Sequence, residues 1–289
     1  MKKAPAAIAA MCLAAALIPS ANSHSAGLCG AGATLPHWQH ILLVVFENHT
    51  YSQVLGSTQS PYIHSLGREC GSATNYKALT HPSLPNYLAL TAGSTFGVTN
   101  DRPPGAHGIR SRSLFGQVRS WQVKASSMPQ PCYRHDYTGP NGTYVVHHNP
   151  AAYYSRLRQA CTVRDRPLGQ DPTFPARFTL VLPDECQTMH HPCSVANGDR
   201  WLSRFLPKVI ASDTYRSGRT AIFITWDEDD YYHSNRVLTL AVAPTVKPGL
   251  RVGARFNHYS LLHTIESMLG LKCLKNACKA PSMRRAFNL

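Results

Sequence analysis

Beyond its first two dozen positions the chain has no run of the roughly 18 uninterrupted apolar residues that a membrane-spanning helix needs, so no internal transmembrane helix is expected. It has no CxxC pair, which removes the usual spacing of a structural zinc cluster. No internal repeat and no Gly/Ser linker divides it, so neither a solenoid nor a pair of tethered domains is expected. Acid is scarce: 15 Asp and Glu stand against 29 Lys and Arg, a formal charge of +14. That balance favours anionic partners such as phosphate esters, nucleic acid or acidic lipid heads. The basic residues are dispersed, with one modest cluster (Lys272, Lys275, Lys279, Arg284 and Arg285) and no interleaving with aromatics. Stacked bases require that interleaving, so no dedicated nucleic-acid site is expected.

The N-terminus has a different composition. Lys2 and Lys3 precede an apolar run over 4–18, and small residues over 21–26 offer cleavage sites, the pattern of a secretory signal spanning 1–26. The mature chain, 27–289, is then exported and loses Cys12 with the leader, and its formal charge falls to +12 without Lys2 and Lys3. Eight cysteines remain, an even number that in an oxidising compartment implies up to four disulfides. Cys186 with Cys193 and Cys273 with Cys278 are spaced as local clips, and spacing leaves the other pairings open. The length suits one large α/β domain with a proper core.

Short, continuous apolar runs rich in branched residues read as buried strands of a parallel sheet: 40–46, 178–182 and 220–226, with further strands at 121–125 and 237–243. Residues 71–79 read as extended. Helices are expected over 61–66, 113–118, 151–160, 198–210 and 260–269, the last stopped by Gly270, and loops over 94–107 and 129–149. Strand, polar tip and helix alternate, the signature of an α/β sheet whose ligands bind at the carboxyl ends of the strands.

Three of those tips carry carboxylates: Glu47 beside Asn48, Asp184, and the run Asp227, Glu228, Asp229, Asp230. Four adjacent acids repel one another unless a cation or protons neutralise them. Together with His190 and His258 they suit a divalent ion, with Zn, Mn, Mg, Ca and Fe all open. In Thr80-His81-Pro82-Ser83-Leu84-Pro85-Asn86-Tyr87 two prolines flank one hydroxyl. Proline stiffens its own residue and the one before it, so Ser83 is expected in a non-helical elbow, with a helix from Tyr87 whose free N–H groups attract anions. That placement suits attack on a phosphoryl group; the plain alternative is a capping serine in a turn.

Four stretches in this order resemble the bacterial phosphoesterase family of acid phosphatases and phospholipases C, within the alkaline phosphatase-like superfamily: Val45-Phe46-Glu47-Asn48-His49-Thr50-Tyr51, Thr80 through Gly93, Thr225 through Asp230, and Asn257 through Glu266. The resemblance implies a three-layer sandwich with a largely parallel central sheet. It implies Ser83 as nucleophile, Glu47, Asn48, Asp227, Glu228 and His258 as ligands of one or two divalent ions, and His148 as an active-site histidine. Asn86 and His81 become substrate-binding candidates. Relatives carry Asp-Met-His-Asp where this chain has Thr188-Met189-His190-His191. Either Asp184, with His190, substitutes there, or only part of a two-ion site is kept. Three functions follow as expectations. One is a secreted metal-dependent phosphatase forming a phosphoserine on a small monoester. Another is a phospholipase C or phosphodiesterase binding a lipid head group through tyrosines such as Tyr231 and Tyr232. The last is a basic binding protein that has lost activity.

Overall fold

The computed structural model describes residues 28–289 apart from 31, 33 and 170–172, together with Met1. Met1 aside, the expected leader lies outside the described residues. Eleven strands are present among them: β1 (His40–Phe46), β2 (Gly71–Lys77), β3 (Trp121–Ala125), β4 (Tyr137–Gly139), β5 (Gly142–Tyr144), β6 (Asp165–Pro167), β7 (Phe178–Leu182), β8 (Thr220–Trp226), β9 (Arg236–Val242), β10 (Leu250–Val252) and β11 (Phe256–Asn257). Nine form one sheet in the order β10-β2-β9-β8-β1-β7-β3-β6, with β11 extending the β2 edge, while β4 and β5 make a separate hairpin. Central β1 pairs in parallel with β7 and β8, aligning Leu42 with Thr179 and Ile222. Only β9 runs against its neighbours, antiparallel to both β8 and β2. Every other strand of this sheet therefore ends at one edge, and β1, β7 and β8 deliver Glu47, Asp184 and Asp227 there. Strands buried on both faces need continuous apolar sequence, and β7 and β8 are buried throughout.

Helices flank the sheet: α1 (Tyr51–Leu55), α2 (Pro61–Glu69), α3 (Ser83–Ala92), α4 (Leu114–Val118), α5 (Arg158–Arg164), α6 (Val195–Ile210), α7 (Asp213–Arg216), α8 (His258–Met268) and α9 (Arg284–Phe287). All ten residues of α3 are buried, and it packs on α8. Gly93 ends α3 at φ 70°, where a Cβ would meet the Leu274 carbonyl oxygen at 2.2 Å, so only glycine fits.

Two expectations change. The helix after the prolines begins at Ser83 rather than Tyr87, and the extended elbow falls on Pro82. Pro85 is tolerated because its missing N–H would be unpaired in the first turn, and its ring faces a carbonyl that precedes the helix. Residues 151–160 are not one helix: 3₁₀ turns over Pro150–Tyr153 and Ser155–Leu157 lead into α5. The loop expected over 129–149 contains the β4–β5 hairpin, whose short strands carry too little apolar pattern to be read.

All eight cysteines from Cys29 onward are paired: Cys29–Cys70, Cys132–Cys161, and the two clips Cys186–Cys193 and Cys273–Cys278. The chain-entropy account makes the longer loop the stronger constraint. Cys29–Cys70 closes 41 residues and Cys273–Cys278 closes 5. Loss of the first is expected to cost about 4 kcal/mol and of the second about 2. Urea unfolding of Cys29→Ser/Cys70→Ser and Cys273→Ser/Cys278→Ser checks that order, and a larger loss in the second pair would contradict it.

Candidate active site

On α3, residues three and four apart share a face, so Ser83, Asn86 and Tyr87 point the same way. That face meets the tips of β1 and β8. Ser83 Oγ donates to Glu47 Oε2 at 3.0 Å, and the Tyr87 hydroxyl donates to Glu47 Oε1. Asn86 Nδ2 donates to Glu228 Oε2 at 3.1 Å and to the Thr80 carbonyl at 2.7 Å, while its Oδ1 accepts the N–H groups of Leu79 and Thr80. One helix face thus presents a hydroxyl, an amide and a phenol to two buried carboxylates. Asn48 turns the chain off β1 at φ 52°, a left-handed geometry that asparagine accepts readily. Its N–H reaches Asp227 Oδ1 at 3.4 Å, which also accepts the Glu228 N–H at 2.7 Å.

Glu47, Asp227 and Glu228 are buried with at most 1 % exposure, and no lysine or arginine among the described residues pairs with them. Burial pushes the Glu47 carboxyl well up, with Asp227 adding to the effect. It lifts Asp227 to about 6 and, with the charge of Asp227, Glu228 to about 10. Asp227 Oδ2, Glu228 Oε1 and Asn48 Oδ1 are buried and accept no hydrogen bond. Unpartnered oxygens among like charges are the kind of ligand a hard cation takes, so Asp227, Glu228 and Asn48 could hold a divalent ion. The one triad of His, Cys, Asp or Glu ligand atoms mutually within 4.8 Å among the described residues is elsewhere, at Cys132, Cys161 and Asp165. Those two sulfurs are bonded to each other and offer no thiolate.

The histidines divide by role. His148 Nε2 lies 3.3 Å from Glu47 Oε1 without hydrogen-bond alignment, its ring stacked on Tyr87 at 5.5 Å; burial drives it well below the ordinary value and keeps it neutral. His81 straddles Glu228 and Asp229, 3.2 Å from each, under the ring of Tyr231 at 3.9 Å. His258 Nε2 is 2.6 Å from the Asp227 carbonyl and must donate to it, so Nδ1 accepts from Tyr76 at 3.0 Å. Burial lowers its pKa to about 4. With both nitrogens engaged, His258 holds the β8 tip in place and presents no free ligand atom.

A family model for the Phosphoesterase family matches residues 57–272. The chain belongs to the phosphoesterase family. Its chemistry is therefore hydrolysis of phosphoric ester bonds. This phosphoesterase is 30% identical over 260 residues to a Mycobacterium tuberculosis protein named phosphatidylinositol-3-phosphatase, covering 87% of this chain and 83% of the relative. It is 29% identical over 232 residues to a phosphate-repressible acid phosphatase of Penicillium chrysogenum, covering 73% of this chain and 55% of that protein. The chain thus spans little more than half the length of its fungal relatives. Among solved structures, a Vibrio parahaemolyticus protein of the alkaline phosphatase superfamily aligns over 88% of this chain and 72% of its own at TM-score 0.58 and 11% identity. That likeness supports the fold: an α/β sandwich on a largely parallel sheet.

Of the residues singled out in the sequence, the phosphoesterase fold gathers Ser83, Glu47, Asn48, Asn86, Asp227, Glu228, His81 and His148 at one edge. Asp184 stands apart, one oxygen accepting from Ser127 at 3.0 Å and the other from the Gln187 N–H at 2.9 Å. His190 bonds through Nδ1 to the His191 carbonyl, its ring 6.2 Å from that of His148. Thr188 turns its hydroxyl to the Glu185 carbonyl. Two of the four consecutive acids need no cation. Asp229 accepts the N–H groups of Tyr231, His233 and Asn235, and Asp230 accepts from Gln53 and Tyr232. The α3 terminus also offers fewer free N–H groups than expected: Asp101 accepts that of Leu84, and Pro85 has none.

Asp101, Tyr76 and Tyr87 were not legible as site residues. For Tyr87 the spacing of four from Ser83 was the available signal. Asp101 and Tyr76 lie just outside the Thr80–Gly93 stretch, in segments read as a loop and as extended, and had none.

A carboxyl whose folded pKa is raised supports the fold below its unfolded value and loses that support as pH rises through the folded one. For Glu228 that window runs from about 4 upward to about 10. In EDTA-treated protein, Glu228→Gln is expected to melt near wild type at pH 5 and above it at pH 8. Thermal scans check this, and equal melting at pH 8 would contradict it.

Proposed function

We propose that the chain is a secreted, metal-dependent phosphatase that hydrolyses phosphate monoesters through a phosphoserine at Ser83. The observation that carries this is a buried serine hydroxyl donating to Glu47 inside a carboxylate cluster whose Asp227 Oδ2 and Glu228 Oε1 accept no hydrogen bond. Asp227, Glu228, Asn48 and Glu47 would hold the ion. When bound, a divalent cation supplies charge neutralisation and lowers the pKa of a coordinated oxygen. Residues 27–289 would act as one phosphoesterase domain, and the four disulfides fit an exported chain.

The steps are then assigned to this chain's own side chains. Ser83 Oγ attacks phosphorus while its proton passes toward Glu47 Oε2, 3.0 Å away. The Oγ–P bond forms as the ester P–O bond breaks, and the alcohol leaves with a proton from solvent. Water then cleaves the phosphoserine, returning the proton to Ser83 and releasing phosphate. Asn86 fixes Glu228 against the Thr80 carbonyl, so the acidic wall stays in place. Neutral His148 bounds the pocket behind Glu47. The missing second acid, with Asp184 and His190 engaged elsewhere, supports one ion rather than two.

Exposed aromatics at the mouth favour a further reading of the substrate. Tyr231 is 58% exposed over His81, and Tyr232 is 85% exposed. An apolar rim of this kind suits a monoester carried on a lipid head group, as the name of the mycobacterial relative suggests for that protein.

Hydrolysis of p-nitrophenyl phosphate tests the core of this proposal. Ser83→Ala is expected to lower kcat/KM by about 10³-fold or more. EDTA should abolish turnover, with recovery on adding one of Mn²⁺, Zn²⁺, Mg²⁺, Ca²⁺ or Fe²⁺. A Ser83→Ala enzyme within tenfold of wild type would sink the nucleophile assignment, and full activity in metal-free protein would sink the metal. Phosphatidylinositol 3-phosphate in the same assay separates the lipid reading from the small-ester one.

A further inference from the structure

Away from the active site, a cavity of about 520 Å³ opens between α4 and the end of α8. Arg112, Arg119, Arg156 and Lys272 line it, and no Asp or Glu does. Glu266, the acid nearest to Lys272 in sequence, is fully buried and does not face it. None of the four cations has an ion-pair partner among the described residues. The side chain of Gln117, also lining the cavity, donates from Nε2 to the Lys272 carbonyl at 2.9 Å, and its Oε1 is buried with no donor. Like charges gathered around a concavity repel unless an anion joins them, and an orphaned amide oxygen needs a donor.

The cavity is remote from Ser83. His258 begins α8 at the catalytic edge and Gly270 follows its far end, so the eleven-residue helix separates the two by about 16 Å. Arg119 precedes β3, whose opposite end reaches the catalytic edge, so the cavity lies by the amino ends of the strands. A flat membrane seated here would turn the catalytic edge away from its own lipid, which favours a soluble ligand.

We infer that the cavity bounded by Arg112, Arg119, Arg156, Lys272 and Gln117 is a second anion site, separate from the catalytic one, that takes a small polyol bearing two or more phosphate groups. The phosphates meet the cations and a ligand hydroxyl donates to Gln117 Oε1. The site binds without turnover, because no histidine or carboxylate lines it to activate Ser111 or Ser113.

Equilibrium binding of fructose 1,6-bisphosphate to the full chain tests this, with Ser83→Ala as the background that prevents hydrolysis. Arg112→Ala/Arg156→Ala, both exposed and outside the catalytic machinery, is expected to weaken binding at this site at least tenfold; bound ligand should fall from two equivalents to one if the catalytic pocket also binds. Lys272→Ala gives an independent variant, expected to weaken binding severalfold. Turnover of p-nitrophenyl phosphate by the two arginine variants in an otherwise wild-type chain should stay within twofold of wild type, which keeps failure here distinct from failure of the phosphatase proposal. Binding should fall as salt rises. Unchanged stoichiometry and affinity in the arginine variants would overturn the inference. So would absence of bisphosphate binding, or retention by phosphatidylglycerol vesicles alone, which would assign the patch to a lipid surface.

Discussion

Three carboxylates, Glu47, Asp227 and Glu228, are buried side by side with no lysine or arginine among the described residues to neutralise them, and the surrounding structure follows from that burden. An ionised carboxylate taken out of water costs several kcal/mol unless it is paired or fully hydrogen-bonded. The chain supplies donors from Ser83, Tyr87 and Asn86 on one helix face, and from the backbone of Asn48 and Glu228. Those donors do not suffice, since Asp227 Oδ2 and Glu228 Oε1 accept no hydrogen bond, although His81 Nδ1 lies 3.2 Å from the latter. Raised pKa values are the remaining outlet when no cation is present: protons occupy the cluster in its place.

The parallel sheet makes this concentration achievable. Because β1 and β8 pair in parallel and end at one edge, acids far apart in sequence arrive together without long loops. The antiparallel β9 then carries the chain back from that edge, and the turn between β8 and β9 is organised around Asp229. His258 completes the frame by tying the β8 tip to α8 and, through Tyr76, to β2. Disturbing either ring nitrogen would release the Asp227 carbonyl and with it the position of the side chain next to it. His258 thus has a structural reason for its place that needs no ion.

Much of this was readable before any coordinates. The strands 40–46, 178–182 and 220–226 were legible to the residue because fully buried parallel strands leave an unmixed apolar record. Four disulfides followed from an even cysteine count, and two clips from spacing, whereas Cys29–Cys70 and Cys132–Cys161 depend on where the sheet places distant segments. Ser83, Glu47, Asp227 and Glu228 were visible as polar residues at strand or helix junctions. The start of α3 was not, because the penalty on proline is a statement about helix interiors, and Pro85 lies in the first turn. Asp184 and His190 misled for a related reason. Residue type marks them as ligands, while their partners, a serine, a backbone amide and a carbonyl, are settled by how the 184–193 loop closes on itself and on Ser127.

Charge arithmetic bears on how such a site meets its substrate. Of the 15 acids in the chain, Glu47, Asp101, Asp227, Glu228, Asp229 and Asp230 cluster at this edge, in a protein whose formal charge is +14. A phosphate monoester arriving as a dianion is drawn by the wide basic field, whose pull extends about a Debye length, some 8–10 Å at ordinary ionic strength. At the mouth the sign reverses. Each bare carboxylate within about 4 Å would oppose the phosphate by roughly 1–4 kcal/mol, depending on how well water screens the pair. Steering and docking therefore work against each other unless the cluster is neutralised. Protons could neutralise it only below the raised carboxyl values, and they would occupy the oxygens that accept from Ser83 and Tyr87. A divalent cation on Asp227, Glu228 and Asn48 would leave those bonds in place and turn the local field attractive. The reversal of charge between surface and pocket thus argues for an ion from the standpoint of binding alone, apart from any step of the chemistry.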